Sequence, residues 1–182
     1  MSHMVFVPMT WNEAVALRSG TAADGYPGCA ATPSLVASME ADTLMEEAEY
    51  AALSYAGALA LVLKPTSPRL VAAAEVRAEQ LTDLGGPLGE AQVRGLTWHQ
   101  VRALFADEPA AIAAARQAGD VAAGQSLAAA LTAPEVGALL DEYDLLWFAP
   151  DELDQLDGSI YPHGDTQGGP SERGNSRSDQ AD

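Results

Sequence analysis

The stretch 51–63 (AALSYAGALALVL) is the longest apolar run of the chain, and it limits what the chain can fold into. It falls short of the ~20 apolar residues that a membrane-spanning helix needs, so protein has to cover it. It belongs to a helix predicted from Asp42 or Thr43, with Glu46 three residues after Thr43, to just before Pro65. On a helical wheel Leu44, Met45, Ala48, Ala52, Tyr55, Leu59 and Val62 share one face, and Glu46, Tyr50, Leu53 and Gly57 point the other way. The helix is thus amphipathic at its start and apolar nearly all round at its end. Such an end needs cover on two sides, from its own domain or from a partner subunit.

Short β-rich runs and helix starts alternate around this helix. Residues 4–9 (MVFVPM) predict a strand stopped by Pro8, which has no N–H for a central ladder. Thr10-Trp11-Asn12-Glu13 has the spacing in which hydroxyl and carboxylate each satisfy an orphan helix donor, and predicts a helix to about Arg18 that closes at Gly20. Asp24-Gly25 and Pro27-Gly28 predict a loop over 21–28, followed by a brief strand over 29–32. Thr32-Pro33 opens a short helix over 33–39, because proline at the first helical position loses no bond. Residues 70–76 (LVAAAEV) predict a strand buried on both faces, with Glu75 its one internal polar residue.

After the Gly85-Gly86-Pro87 turn, Thr97 caps a helical turn and 102–107 (RALFAD) predicts the fourth strand. An Ala-rich helix starts at Pro109, with Asp107 and Glu108 against the positive end of its dipole, and ends near Gly119. Another opens at Pro134, 145–149 (LLWFA) is the fifth strand, and 150–153 is a closing turn. This order predicts an α/β fold, with α+β as the variant: one domain over 4–153, a mixed sheet of about five strands covered by helices, and at least one antiparallel pair joined across 77–101. Residues 154–182 hold too little apolar surface to offset the ~1–2 kcal/mol per residue that ordering the backbone costs, and predict a disordered acidic tail. Residues 1–3 read as a cloning scar ahead of Met4 with no signal-peptide pattern, so His3 is given no role.

Charge narrows the partners. The net charge is −17, and no lysine or arginine occurs between Arg116 and Arg173, where Asp120, Glu135, Asp141, Glu142, Asp144, Asp151, Glu152, Asp154, Asp157 and Asp165 accumulate. Binding to nucleic acid or an anionic membrane runs on basic side chains displacing counterions, so neither is expected as a partner. A basic or mixed-surface protein is. A homodimer through the apolar back of the 42–63 helix is a further expectation. Cys29 is the single cysteine, which excludes an intramolecular disulfide and suits a reducing, cytoplasmic home.

Four groups of residues are candidates for chemistry. Glu46 and Glu49 lie three apart and Glu46 and Tyr50 four apart, so they share a helix surface that could hold a cation, although a solvated acidic first turn explains them as well. Glu75, His99 and Asp107 would make an acid–base site if their strand ends converged, His99 being the one neutral-pH proton carrier of the ordered region. Cys29 has no base beside it and reads as a small buried hydrophobe. Ser34 and Ser54 lack a nucleophile-elbow setting, no glycine cluster cradles a phosphate, and His163 lies in the tail without supporting groups. No metal or cofactor is therefore assigned. The string 143–153 (YDLLWFAPDEL) alternates so that Leu146 and Phe148 face one way and Leu145 and Trp147 the other, which predicts core packing, or an exposed Trp147 that anchors a partner.

Together MVFVPMT, the Thr32-Pro33 helix start, EEAEYAAL, RLVAAAEV, WHQVRALFADEP and LLWFAPDEL resemble a small actinobacterial family of unknown function. The resemblance covers about residues 4–153. It implies a cytoplasmic α/β protein with no assigned activity, and it carries no catalytic residue over. The leading expectation is a non-enzymatic accessory or interaction module acting through Glu46, Tyr50 and Leu53, through Trp147, or through the acidic surface from Asp151 and Glu152 to Asp157. The alternative is a small-ligand-binding or hydrolytic enzyme built from Glu46, Glu49, Glu75, His99 and Asp107 in a strand-end crevice, which requires a cavity on the order of a few hundred Å³ lined by at least two of them. A nucleic-acid mimic fits the charge and little else.

Overall fold

Alternating side chains at the start of the chain set the frame. In a computed structural model, which describes residues 2–156, Ser2–Pro8 forms β1, with Val5 and Val7 turned to one face and Phe6 to the other. β1 runs antiparallel between β2 (Gly25–Ala30) and β3 (Leu70–Arg77), and pairs with β3 from Ser2 opposite Arg77 to Pro8 opposite Val71. Outside β2 lie β5 (Glu90–Arg94) and then β4 (Leu81–Asp83); outside β3 lie β6 (Val101–Ala106) and then β7 (Leu146–Phe148). All neighbours in the order β4-β5-β2-β1-β3-β6-β7 are antiparallel.

The expected sheet is corrected in two respects: it has seven strands and not about five, and it is antiparallel and not mixed, so the fold is the α+β variant. The two additional strands, β4 and β5, flank a turn in which Gly85 and Gly86 have φ of +79° and +93°, backbone that glycine adopts without steric penalty. Buried Ala91 and Val93 alternate with Glu90, Gln92 and Arg94, a period-two pattern inside the supposed 77–101 connection. β2 begins at Gly25, within the predicted loop. Its pairing with β1 ends at Cys29 opposite Phe6, so the missing N–H of Pro27 breaks no bond to β1.

Helices cover both faces. α1 (Trp11–Arg18) is capped as expected, Glu13 N–H donating to Thr10 Oγ1 at 3.2 Å and Thr10 N–H to Glu13 Oε2 at 2.7 Å. α1 packs with the 3-10 segment Pro150–Leu156 on the face that carries Val5, Val7, Leu70, Ala72 and Leu104. On the other face, α2 (Pro33–Ser38), α3 (Met45–Leu63), α4 (Ile112–Ala122), α5 (Leu127–Ala130) and α6 (Pro134–Glu142) close over Phe6, Cys29, Val71, Ala73 and Ala103.

Three boundaries move. The fold runs past 153, because Leu156 is buried and Asp154 pairs with Arg18 at 2.7 Å. Ser2 and His3 extend β1 beside Arg77 and Val76. α3 starts at Met45, where Leu44 N–H donates to Glu47 Oε2 at 3.1 Å, one position beyond the expected Thr43 and Glu46 pairing. The remainder of the predicted tail, with His163, lies outside the described residues.

α3 also explains its own apolar end. Ala56, Gly57, Ala58, Leu59, Ala60 and Leu61 are all buried, between the sheet on one side and α4, α5 and α6 on the other. Both covers of this end come from the same chain, whereas Tyr50 nearer the start of the helix is 65% exposed. Leu44 and Met45, expected on the apolar face of the helix, are 64% and 58% exposed at its start.

Close packing of α4 depends on Gly119, where a Cβ would run into the Pro65 carbonyl; the helix runs through this residue to Ala122, past its expected end. Gly137, inside α6, has open space around it. Gly119→Ala is expected to destabilise the fold by about 1–3 kcal/mol through overpacking, and Gly137→Ala to stabilise it by about 0.5–1 kcal/mol through helix propensity. Urea unfolding of the two variants checks this, and effects of the same sign would contradict the packing described.

Candidate functional site

The antiparallel register of β3 and β6 brings two charges together inside the protein. Leu70 stands opposite Ala106, so the residues just outside the ladder, Arg69 and Asp107, become neighbours. Arg69 N–H donates to Asp107 Oδ2 at 2.7 Å, Arg69 Nε to Asp107 Oδ1 at 2.8 Å, and Asp107 N–H to the Arg69 carbonyl at 3.1 Å. Arg69 Nη2 lies 2.6 Å from Asp107 Oδ1 and donates to the Tyr143 carbonyl at 3.0 Å. The two side chains are 2% and 0% exposed. Both partners are satisfied by several bonds, the condition under which a buried ion pair is tolerated.

Above this pair opens a groove of about 480 Å³. α3 supplies Tyr50, Leu53, Ser54 and Gly57, at the three-and-four spacing that stacks side chains on one helix face. Glu46 lies one turn earlier on the same stripe and is exposed. The other wall is Phe105 of β6 with Leu140, Tyr143, Asp144 and Leu145. Gly57 lets the helix approach: a Cβ there would stand 3.4 Å from Leu145 Cδ1 and 3.9 Å from Arg69 Nη1. Trp147 is paired with Phe105 across β6 and β7, so both rings rise on the groove side of the sheet, and Trp147 is 60% exposed.

Electrostatically the groove is anionic at its rim. The Arg69 charge is compensated by Asp107, while Asp144 and Glu46 are open to solvent. The Tyr143 phenol is pushed up from its ordinary pKa, first by its hydrogen bond to Glu142 and then by that carboxylate's charge, with smaller effects from burial and Glu108. It stays protonated at neutral pH.

The residues singled out from sequence are divided among separate places. Tyr50 and Leu53 line the groove and Trp147 stands at its edge. Leu146, expected in the core with its strand, is 43% exposed, because β7 is the last strand of the sheet and has a neighbour on one side only. Asp151 and Glu152 lie in the 3-10 segment that packs on the opposite face, with Ala149 N–H donating to Glu152 Oε2 at 2.7 Å. Ser54 faces the groove, and no histidine lines it. Glu49 lines a second cavity, of about 420 Å³, with His3, Met4 and Met45.

Glu75, His99 and Asp107 do not converge. Glu75 accepts from Arg102 Nε and Nη2 at 3.1 and 3.0 Å on the surface, and exposed His99 lies near them, its carbonyl 3.5 Å from Arg102 Nη1. Asp107 is at the other end of β6, about five residues or roughly 16 Å along the strand. The Glu75 carboxyl is held below its ordinary pKa, first by a hydrogen bond from Ser2 and then by Arg102, which is the wrong direction for a neutral-pH base. Among the described residues no group of three or more His, Cys, Asp or Glu is arranged to hold a metal ion, and no helix is long and apolar enough to cross a membrane.

Sequence reasoning missed Arg69, Phe105 and the groove-lining role of Tyr143, Asp144 and Leu145. A signal was available: Arg69 immediately precedes one apolar strand and Asp107 immediately follows another, so antiparallel pairing of the two would join them.

With the fold and groove described, a comparison with known families gives one match. A family of unknown function (DUF6912) matches residues 3–156, nearly all that the structure describes. The chain belongs to that family. No curated protein and no solved structure matches the chain. The matched span supports the resemblance to a family of unknown function, and it takes the family's domain through β1 and the closing Leu156.

Cys29 is fully buried opposite Glu90, and burial, aided by that carboxylate's charge, pushes its thiol up to about 12. The native protein is therefore expected to react with a thiol-specific disulfide reagent at neutral pH only after unfolding in urea. Rapid labelling of the folded protein would contradict this placement.

Proposed function

We propose that this protein is a non-enzymatic interaction module that docks a partner protein on the groove between α3, the end of α6 and β7. The observation that carries the reading is the pair of exposed aromatics at an apolar trough: Tyr50, 65% exposed, lines it with Leu53, Phe105 and Leu145, and Trp147, 60% exposed, stands beside Phe105. Large aromatics at the centre of an interface supply most of its binding energy. The acidic rim of Glu46, Asp141, Glu142 and Asp144 suits a basic or mixed-surface partner. The single, buried thiol suits a cytoplasmic home, and an actinobacterial source stays part of the reading through the strings that suggested it.

A second reading, small-ligand binding in the same groove, is favoured by its volume, which falls within the range of about 300–1,000 Å³ usual for small-molecule sites. The version built from Glu46, Glu49, Glu75, His99 and Asp107 fails its requirement, because the groove is lined by none of them and the second cavity by Glu49 alone.

Capture of proteins from native cytosol at low salt tests docking when wild type is compared with Trp147→Ala, Tyr50→Ala and a control, Leu84→Ala, an equally exposed apolar residue beyond β4. Trp147→Ala and Tyr50→Ala are each expected to weaken the captured complex by about 2 kcal/mol or more while shifting stability by no more than about 0.5 kcal/mol. The same proteins retained by all variants would refute the groove as the docking surface.

A further inference from the structure

The two edges of the sheet are guarded differently. β4 carries exposed Thr82 and Asp83, and the Asp83 carboxylate accepts from Ser34 Oγ at 3.0 Å and from Gly85 N–H at 2.8 Å, so a charge and its hydrogen bonds occupy that edge. β7 is Leu-Trp-Phe, with neither charge nor proline, and among the described residues no strand lies outside it. An apolar edge offers backbone N–H and C=O groups to another chain, and natural sheets block it with charge, proline, a bulge or a very short edge strand; β7, three residues long, has only the last of these.

The surroundings of this edge select what can approach. Asp144 precedes β7, Asp151 and Glu152 follow it, and Asp141 and Glu142 end α6 shortly before it, with no lysine or arginine between Arg116 and Arg173. A second copy would bring its own acids against these, and each copy carries a net charge of −17. We propose that the outer edge of β7 pairs with an extended cationic segment of the partner protein, about three apolar residues flanked on both sides by Lys or Arg. The backbone would continue the sheet as an eighth strand, with alternate side chains packing on Trp147 at the mouth of the groove and on Leu146 behind. The flanking cations would meet Asp144 at one end and Asp151 and Glu152 at the other. This rests on the reading of the groove as a docking surface, and it adds the backbone conformation and charge of what docks.

The test uses the full chain and three synthetic peptides: Val-Ile-Val flanked by paired lysines, the same core flanked by glutamates, and the lysine peptide with N-methylated core amides. The lysine peptide is expected to bind, more weakly as salt rises, and to slow amide exchange in β7. The glutamate and N-methylated peptides are expected to lose binding, and Trp147→Ala to weaken the lysine peptide about 30-fold or more. Equal binding of the N-methylated peptide overturns strand pairing and leaves groove docking intact; equal binding of the glutamate peptide overturns the charge selection. No binding of the lysine peptide, or self-association through β7 in light scattering, overturns the proposal. Trp147-dependent capture from cytosol separates that failure from failure of the docking reading itself.

Discussion

Arg69 and Asp107 meet because β3 and β6 run antiparallel in one register, and much of the molecule is organised around their contact. The carboxylate of Asp107 takes the backbone N–H and the guanidinium of Arg69, and the guanidinium reaches on to the carbonyl of Tyr143. One buried pair thereby ties the entry of β3, the exit of β6 and the end of α6. In a low-dielectric interior such a pair need not be more stabilising than apolar side chains of the same size, but removing one partner strands the other charge. What it secures is therefore position: the 143–145 segment cannot drift from the sheet without leaving the guanidinium short of an acceptor.

The groove follows from that anchorage. Tyr143, Asp144 and Leu145 form one wall because α6 ends on Arg69, and Tyr50, Leu53 and Ser54 form the other because Gly57 lets α3 come close to Leu145. Beyond this wall the chain turns directly into β7, which carries Trp147 alongside Phe105. The arrangement has aromatic surface, backbone edge and negative charge, while among the described residues Glu75 is engaged by Arg102, Asp107 by Arg69, and Cys29 is sealed in the core.

Local chemistry was the legible part of the sequence. Thr10 and Glu13 marked the first helix, Thr32-Pro33 the second, and Pro109 and Pro134 the later starts, because caps and prolines act within a few residues of themselves. β4 and β5 were hidden by the Gly85-Gly86-Pro87 turn between them, and the early start of β2 by Gly25, Pro27 and Gly28, which usually signal turns and here pair with β5 beyond the point where the β1 ladder has ended. α3 showed its two-sided burial but not which chain provides the cover. At the groove, the sequence places Tyr50 and Leu53 on the helix face away from the first apolar stripe, whereas it predicts core packing for Trp147 with exposure as the alternative, and the edge position of β7 leaves Trp147 60% exposed. Arg69 and Asp107, 38 residues apart in sequence, become partners only through strand register, which single-sequence patterns do not fix.

The unfolding free energy of Asp107→Ala in urea, set against wild type, tests the central claim most directly. If the buried pair anchors β3, β6 and α6 together, truncation leaves the Arg69 guanidinium uncompensated and stability falls by about 3–5 kcal/mol. A variant as stable as wild type to within about 0.5 kcal/mol would show that the pair holds nothing in place, and the account of the groove built on it would fail.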